Sequence, residues 1–443
     1  MKFYNREKEL EALNKVRELS FNEHSMFTVL TGRRRIGKTL LIKKSCDGTP
    51  TVYLFVSRSN EAALCRSYVD EIRNALNVFI PEGISTFADT FQFLMDTGTR
   101  MKFNLVIDEF QEFFFINPEV YYSKMQNIWD SYRLKSNVNL IVSGSVYTLM
   151  TKIFKDEKEP LFGRADRILK LMPFTTSVLK EILIDKTGHC SNEELLALYT
   201  FTGGVPKYVE LIIDNGDYSV AGMVNFMVQP DSPFLTEGKN LLVQEFGKQY
   251  GNYFSILTFI ANGNTTISEI ESLMGNLSLS GQLKRLEEDY EIVRKKRPIF
   301  AKDGTKTVRY EISDMFLRFW FRYFIKYQKL IELQNYAVLG EIIINDFATY
   351  SGETLELYFR QKMIESQEFI DIGSWWAGKS DSNQNEIDII GIYADNKRAF
   401  VAEVKRQRKN FKPDLLKQKI EFIRTKILSK YEIESCCLSM EDM

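Results

Sequence analysis

Histidine is nearly absent from this 443-residue chain, which carries only His24 and His189. Two imidazoles leave His-based zinc sites and Ser-His-Asp chemistry close to unavailable, so any hydrolysis has to rest on carboxylates, lysine and a bound divalent ion. Cysteine is also scarce. Cys46, Cys65, Cys190, Cys436 and Cys437 are odd in number, scattered and outside metal-binding spacings, which implies no disulfide framework and suits a reducing cytosol. No apolar run reaches the roughly 18 residues of a membrane span. Met1 leads straight into the charged stretch Asn5-Arg6-Glu7-Lys8-Glu9, so no signal peptide and no membrane association are expected, and the expected location is cytoplasmic. Net charge is lacking too: 58 Lys and Arg against 59 Asp and Glu leave −1, so no global positive field draws in nucleic acid and any such surface must be local.

What remains is an ordinary globular composition, 44% hydrophobic and 26% charged, with 33 Phe and 21 Tyr as large apolar side chains. A chain of this length exceeds what one core supports, and two to four domains are expected. Residues 1–175 alternate β-rich runs with helical patterns, the mark of a parallel sheet covered by helices. The expected strands are 27–31, 51–57, 104–109, 139–143 and 167–171. The first four are continuous apolar runs, as strands buried on both faces require, whereas Arg167-Ile168-Leu169-Lys170-Leu171 alternates and reads as peripheral.

Residues 176–245 read as a small helical lid, broken at Gly203-Gly204-Val205-Pro206, where two glycines and a proline end one helix and begin another. Residues 246–325 read as a winged-helix domain: three short helices over 252–290, then β-rich runs at 291–300 and 307–313 joined across Asp303-Gly304. The aromatic segment Phe316–Phe324 is too short to span a bilayer and reads as an interdomain packing helix. Residues 326–443 are expected to be helical over 337–368, strand-rich over 369–404 and a basic tail beyond.

Gly32-Arg33-Arg34-Arg35-Ile36-Gly37-Lys38-Thr39 satisfies G-x-x-x-x-G-K-[ST] and lies between a buried strand and a helix, as its mechanism demands. The glycines let backbone N–H groups turn inward around phosphate oxygens, Lys38 reaches the β- and γ-phosphates, and Thr39 offers a hydroxyl to Mg²⁺. The expected ATP-binding stretch runs Gly32, Arg33, Arg34, Arg35, Ile36, Gly37, Lys38, Thr39 and Leu40, its three arginines read as solvated charge rather than as catalysts. A strand ending in acids is commonplace alone. Beside this loop, Asn104-Leu105-Val106-Ile107-Asp108-Glu109 gives Asp108 to hold Mg²⁺ through water beside Thr39, and Glu109 as the base that polarises the attacking water. Ser143 or Ser145, at the end of the next strand, places a hydroxyl near the γ-phosphate; we take Ser143 as the candidate. Arg164 reads as a surface arginine able to serve as a finger, from its own chain or a neighbour's.

Near the C-terminus, Glu386–Ile392 and Arg398–Lys405 read as an antiparallel hairpin about Asp395-Asn396. A turn centred there sets Asp388 opposite Glu403, with Lys405 on the same face. Adjacent carboxylates repel unless protonated, separated by a lysine or bridged by a cation. Mg²⁺ held by Asp388 and Glu403, with Lys405 stabilising charge on the phosphate and Glu356, on a helical segment, as the candidate third ligand, is the core of a metal-dependent phosphodiesterase; a surface hairpin with cross-strand salt bridges has the same pattern. Residues 403–430 carry ten basic residues against three acids, a local surface that suits a phosphate backbone or a solvated helix face.

The order of parts resembles the archaeal-type ATPases of prokaryotes, in the AAA+/STAND group of P-loop proteins: Phe3-Tyr4-Asn5-Arg6-Glu7 with Glu9-Leu10, the Gly-Lys-Thr loop, Asp108-Glu109, Ser143-Gly144-Ser145, Leu161-Phe162-Gly163-Arg164 and Gly203-Gly204-Val205-Pro206. The C-terminal part resembles the DUF234 domain, itself similar to PD-(D/E)XK nucleases through Glu356, Asp388, Glu403 and Lys405, although Glu386-Ile387 stands where that signature has its proline. The resemblance implies that Asn5 and Arg6 border the adenine site, that Arg164 is a finger and that the Gly-Gly-Val-Pro turn belongs to a nucleotide-sensing lid. It implies an α/β fold with a P-loop parallel sheet, a helical lid, a winged helix and a C-terminal restriction-endonuclease-like domain.

The function expected is an ATP-hydrolysing molecular switch that uses ATP and Mg²⁺ and engages DNA. The alternatives are a nucleotide-controlled Mg²⁺-dependent nuclease and a STAND-type protein-interaction scaffold. A protein partner and a second copy of the chain are the other partners considered. The expected recognition helix, Ser278–Tyr290, bears Lys284 and Arg285 but also Glu287, Glu288 and Asp289, a poor balance for the major groove, whereas the wing with Arg294, Lys295, Lys296 and Arg297 suits phosphates.

Overall fold

The structure, a computed structural model, describes residues 2–302, 304–305, 307–377 and 386–443; Asp303, half of the expected hairpin turn, lies outside them. It forms two compact bodies, Lys2–Pro173 and Phe174–Met443.

In the first body five strands, β1 (Met26–Thr31), β2 (Thr51–Phe55), β3 (Phe103–Asp108), β4 (Val138–Ser143) and β5 (Arg167–Lys170), pair in parallel in the order β2-β3-β4-β1-β5. Alternate side chains feed two cores, which is why the first four runs are mostly apolar. Phe27, Val29, Leu105 and Ile107 join Phe91, Phe110 and Trp129 on one face. Leu30, Val106 and Ile141 meet Leu13 of α1 (Glu7–Asn22) and Leu41 and Ile42 of α2 (Lys38–Ser45) on the other. Helices α3 (Glu61–Leu76) and α4 (Phe87–Thr97) complete the first of these layers. β5 is an exposed edge, as its alternation indicated, and β2 is the opposite edge. β3 stops at Asp108, and Glu109 follows with φ 55°, so the expected strand end shifts by one residue.

The second body begins with helices 176–187, 192–202, 206–215, 220–228 and 234–246. Gly203 closes the second of them at φ 57°, Pro206 opens the third, and a Cβ at Gly204 would lie 2.1 Å from the Phe174 carbonyl oxygen. Helices 250–261, 267–273 and 280–284 follow, the last running into a π turn at 285–289. Strands β6 (Val293–Lys296) and β7 (Arg309–Ile312) then pair antiparallel. The aromatic segment is a buried helix, Met315–Trp320, continued by a π turn to Ile325.

After the 31-residue helix Tyr336–Ser366 comes a four-stranded sheet in the order β11-β10-β9-β8, built from β8 (Phe369–Trp376), β9 (Glu386–Tyr393), β10 (Arg398–Lys405) and β11 (Glu432–Ser439). The expected basic tail is thus a crossover: helix Pro413–Lys426 carries the chain to β11, which pairs parallel with β10.

Candidate functional site

The turn between β1 and α2 depends on two glycines. Gly37 caps α2 at φ 92°. Gly32 sits at φ 146°, where a Cβ would lie 2.9 Å from the Leu171 carbonyl oxygen. Arg35 is also left-handed, at φ 67°. Lys38 is buried, and its Nζ donates to the carbonyls of Gly32 (2.8 Å) and Arg33 (3.1 Å), so the loop wraps its own ammonium group. Thr39, Leu40 and Arg34 are exposed, whereas Ile36 is buried and fastens the loop to the core.

Strand register brings the acids to the loop. Leu30 pairs with Ser143 and Ile107 with Val142, so Asp108 and Ser143 stand level at the carboxyl ends of neighbouring strands. Thr39 Oγ1 donates to Asp108 Oδ2 at 3.1 Å, and the Tyr53 hydroxyl donates to the same oxygen. Asp108 Oδ1 accepts from Ser143 Oγ and, at 3.0 Å, from the Glu109 N–H. Tyr53 was not among the expected site residues. Burial, followed by the hydrogen bond to Asp108 and its charge, pushes the Tyr53 phenol up.

Ser143 therefore serves Asp108, and Ser145 is the serine that touches Glu109, donating to Oε2 at 2.7 Å. Gln111 Nε2 donates to the same oxygen at 2.5 Å. Gln111 is fully buried, and a Cβ at Gly144 would sit 2.4 Å from its Oε1, so Gly144 makes room for the amide that holds Glu109. Gln111 also escaped the sequence reading, since one glutamine after two acids carries no pattern.

Arg6 is buried and pins the loop from behind, donating to the carbonyls of Met172 (2.8 Å) and Ile36 (3.4 Å) and pairing with Glu9 at 3.1 Å. Asn5, exposed with φ 46°, precedes it. Arg164 stands outside the Asp108 and Glu109 networks: its guanidinium donates to the Phe162 carbonyl (3.0 Å) and pairs with Asp130 (3.3 Å).

In the second body the β9–β10 ladder has the expected register, Ile392 with Ala399 through Ile389 with Ala402. Asp388 and Glu403 are the next residues on each strand, and the Val404 N–H donates to Asp388 Oδ2 at 2.7 Å. A lysine separates the two acids: Lys405 Nζ lies 2.8 Å from Glu403 Oε2 and 3.6 Å from Asp388 Oδ2, while the buried Lys419 holds the other Glu403 oxygen. Burial, then the charge of Glu403, raises the Asp388 pKa. Burial opposes charge on Lys405, but its carboxylate partners outweigh that and raise its pKa. Among the described residues no three His, Cys, Asp or Glu side chains are grouped to hold a metal ion.

Glu356, on the long helix, lies 4.0 Å from Arg360 and within reach of the Asp388 charge. Burial first, and the Asp388 charge second, push its pKa up to about 8 from an ordinary 4.5. The folded state thus keeps a proton that the unfolded chain releases, and stability falls as pH rises from about 4.5 to about 8. In EDTA, Glu356→Gln is expected to gain on the wild type by on the order of 2–4 kcal/mol between pH 5 and pH 9. Urea unfolding at the two pH values measures it, and a constant difference would show that Glu356 titrates normally.

The basic wing is largely engaged within its own body. Arg294 pairs with Glu311 across the hairpin, Arg309 pairs with Glu386 at 2.9 Å, and Lys296 and Arg309 lie over the Trp376 ring. Ile299 N–H donates to the Ser374 carbonyl at 2.8 Å, and the Ile299 side chain joins the core of the C-terminal sheet. The expected recognition helix is shortened by the π turn at 285–289, with Lys284 paired to Glu288.

Comparison with known proteins gives the family and the fold. The family described as an ATPase domain predominantly from Archaea matches residues 3–212. DUF234, described as archaeal and bacterial proteins of unknown function, matches residues 320–419. An uncharacterized protein of Methanocaldococcus jannaschii is 31% identical over 413 residues, covering 91% of this chain and 87% of its own. Among solved structures, a Walker-type ATPase of Pyrococcus abyssi superposes with a TM-score of 0.55 at 19% identity, over 72% of this chain and 96% of that one. No helix among the described residues is long and apolar enough to cross a membrane.

Proposed function

We propose, from the premise that this chain belongs to the family of ATPases found predominantly in Archaea and carries their DUF234 partner domain, that it is a nucleotide-driven switch whose second body engages DNA. The chain is a nucleotide-binding P-loop ATPase. The observation that carries the detailed reading is the convergence of Thr39, Asp108 and Ser143 at the mouth of the Gly32–Thr39 loop.

In this reading Lys38 exchanges the Gly32 and Arg33 carbonyls for the β- and γ-phosphate oxygens, and the amides of the loop and of the α2 N-terminus take the remaining phosphate charge. The donor set fits Mg²⁺: a hydroxyl oxygen and a carboxylate 3.1 Å apart, both hard ligands, with no sulfur or imidazole. Thr39 and Asp108 would hold the ion, which when bound supplies positive charge against the phosphate oxygens. Glu109, oriented by Ser145 and Gln111, accepts the proton of the attacking water. Arg6 and Asn5 border the adenine, and Arg164 is the finger candidate once freed from Asp130.

The domain division proposed is 1–175 for the ATPase core, 176–245 for the lid, 246–325 for the winged helix and 326–443 for the C-terminal domain. DNA engagement is supported by the basic run 403–430, where Lys409, Lys412 and Lys417 are exposed, more than by the wing, whose Arg294, Lys296 and Arg309 are already engaged. Duplex binding that weakens steeply with salt supports this reading, and its absence favours the protein-interaction scaffold.

A second reading, a Mg²⁺-dependent nuclease, is favoured by the Asp388, Glu403 and Lys405 cluster. It predicts Mg²⁺-dependent nicking of DNA that Asp388→Ala abolishes. No cleavage by the wild type across varied DNA and RNA, with ATPase intact, makes the domain a binding module. The lysine cage on Glu403 then has a purely structural meaning, neutralising a buried acid.

A further inference from the structure

Tyr53 reaches the phosphate site from a neighbouring strand. Phe55 pairs with Asp108 and Tyr53 with Val106, so Tyr53 is the diagonal neighbour of Asp108 on the edge strand β2, a separation an aromatic side chain spans. Its hydroxyl completes a set of four donors on one carboxylate: Thr39 Oγ1 and Tyr53 on Oδ2, Ser143 Oγ and the Glu109 N–H on Oδ1. A carboxylate offers about four lone-pair sites. All are therefore filled, and an ion, or a water bound to it, can reach Asp108 only when a donor withdraws.

The four donors differ in freedom. The Glu109 N–H is backbone, and Ser143 is fully buried in β4 between its neighbours. Thr39 can offer an oxygen lone pair to the ion while still donating its proton to Asp108. Tyr53 is half-buried, and it lines an open groove of about 710 Å³ bounded by α2, α3 and β2 and shared with Lys43, Thr51, Ser67, Tyr68 and Glu71. Of the four donors it is the one that lines this groove, which gives its polar end space to turn into.

We infer that Tyr53 is a positioning residue of the ATPase site, a stand-in donor that occupies Asp108 before the divalent ion arrives and must release it for the ion to bind. Its hydroxyl thereby sets the ion concentration at which the nucleotide site is completed. The inference rests on the P-loop reading above. It concerns ion affinity and leaves the phosphate contacts of Lys38 and the loop amides untouched.

The test is equilibrium binding of a fluorescent ATP analogue to the full chain, first in EDTA and then across a Mg²⁺ titration. Tyr53→Phe is expected to match the wild type in EDTA and to reach half of its Mg²⁺-dependent gain at about tenfold lower free Mg²⁺, equivalent to about 1.4 kcal/mol. Tyr53→Leu, which also lacks the hydroxyl, is expected to shift the midpoint in the same direction. A Mg²⁺ midpoint that is unchanged or higher in both variants overturns the inference while leaving the nucleotide site standing. A wild type that binds no analogue at any Mg²⁺ concentration overturns the P-loop reading and this inference together.

Discussion

Lys38→Ala is expected to lower ATP turnover by at least about a hundredfold, the scale seen when one donor to developing transition-state charge is removed. The lysine is the only side chain of the loop whose ammonium group already points into the cradle, held by two loop carbonyls at 2.8 and 3.1 Å. Phosphate oxygens are stronger acceptors than those carbonyls, so the exchange on binding is favourable, and its loss weakens both the ground state and the transition state. Because Lys38 is buried, alanine also removes its hydrogen bonds to the Gly32 and Arg33 carbonyls. Lys38→Met fills the same space without the charge and should lose turnover equally. Phosphate release assays on both variants decide the matter, with far-ultraviolet circular dichroism to check folding. Unchanged turnover in either one removes the assigned site.

Glu109→Gln should separate binding from chemistry. The carboxylate sits just past β3, in a left-handed residue at φ 55° that turns its side chain out of the sheet and into the grip of Ser145 and Gln111. A glutamine there keeps the size and loses the base, so ATP should bind as in the wild type while turnover falls by about a hundredfold or more. Full turnover moves the base to another residue. Asp108 differs in its partners: Thr39, Tyr53 and Ser143 all donate to it, so its oxygens are already engaged and are not placed to take a proton from water.

The sheet and the loop were legible because each is written locally. A strand buried on both faces is apolar at most positions, and β1, β3 and β4 are, apart from polar residues such as Asn104 and Asn139; the loop turns at positive φ at Gly32, Arg35 and Gly37, and glycine holds two of the three. The C-terminal hairpin was legible for a similar reason, since Asp395 and Asn396 fix the turn and the turn fixes the register down to Ile389 and Ala402. Contacts made across strands were hidden. Tyr53 lies inside Thr51-Val52-Tyr53-Leu54-Phe55 and reads as one more apolar residue until register sets it beside Asp108. The wing runs the other way: Arg294 and Lys296 look available in sequence, yet Glu311 and Trp376 engage them. β11 was missed because Ile433, Cys436, Cys437 and Leu438 in Glu432–Ser439 neither alternate nor form one apolar run across the segment, which becomes a strand by pairing with β10.

The most direct measurement on the central claim is a crystal structure of the full chain with a non-hydrolysable ATP analogue and Mn²⁺. The account predicts phosphate density within the Gly32–Thr39 loop and an anomalous Mn²⁺ peak beside Thr39 Oγ1, within reach of the Asp108 carboxylate directly or through a bound water. Analogue bound elsewhere, or a loop still closed on Lys38 at saturating nucleotide, would contradict it.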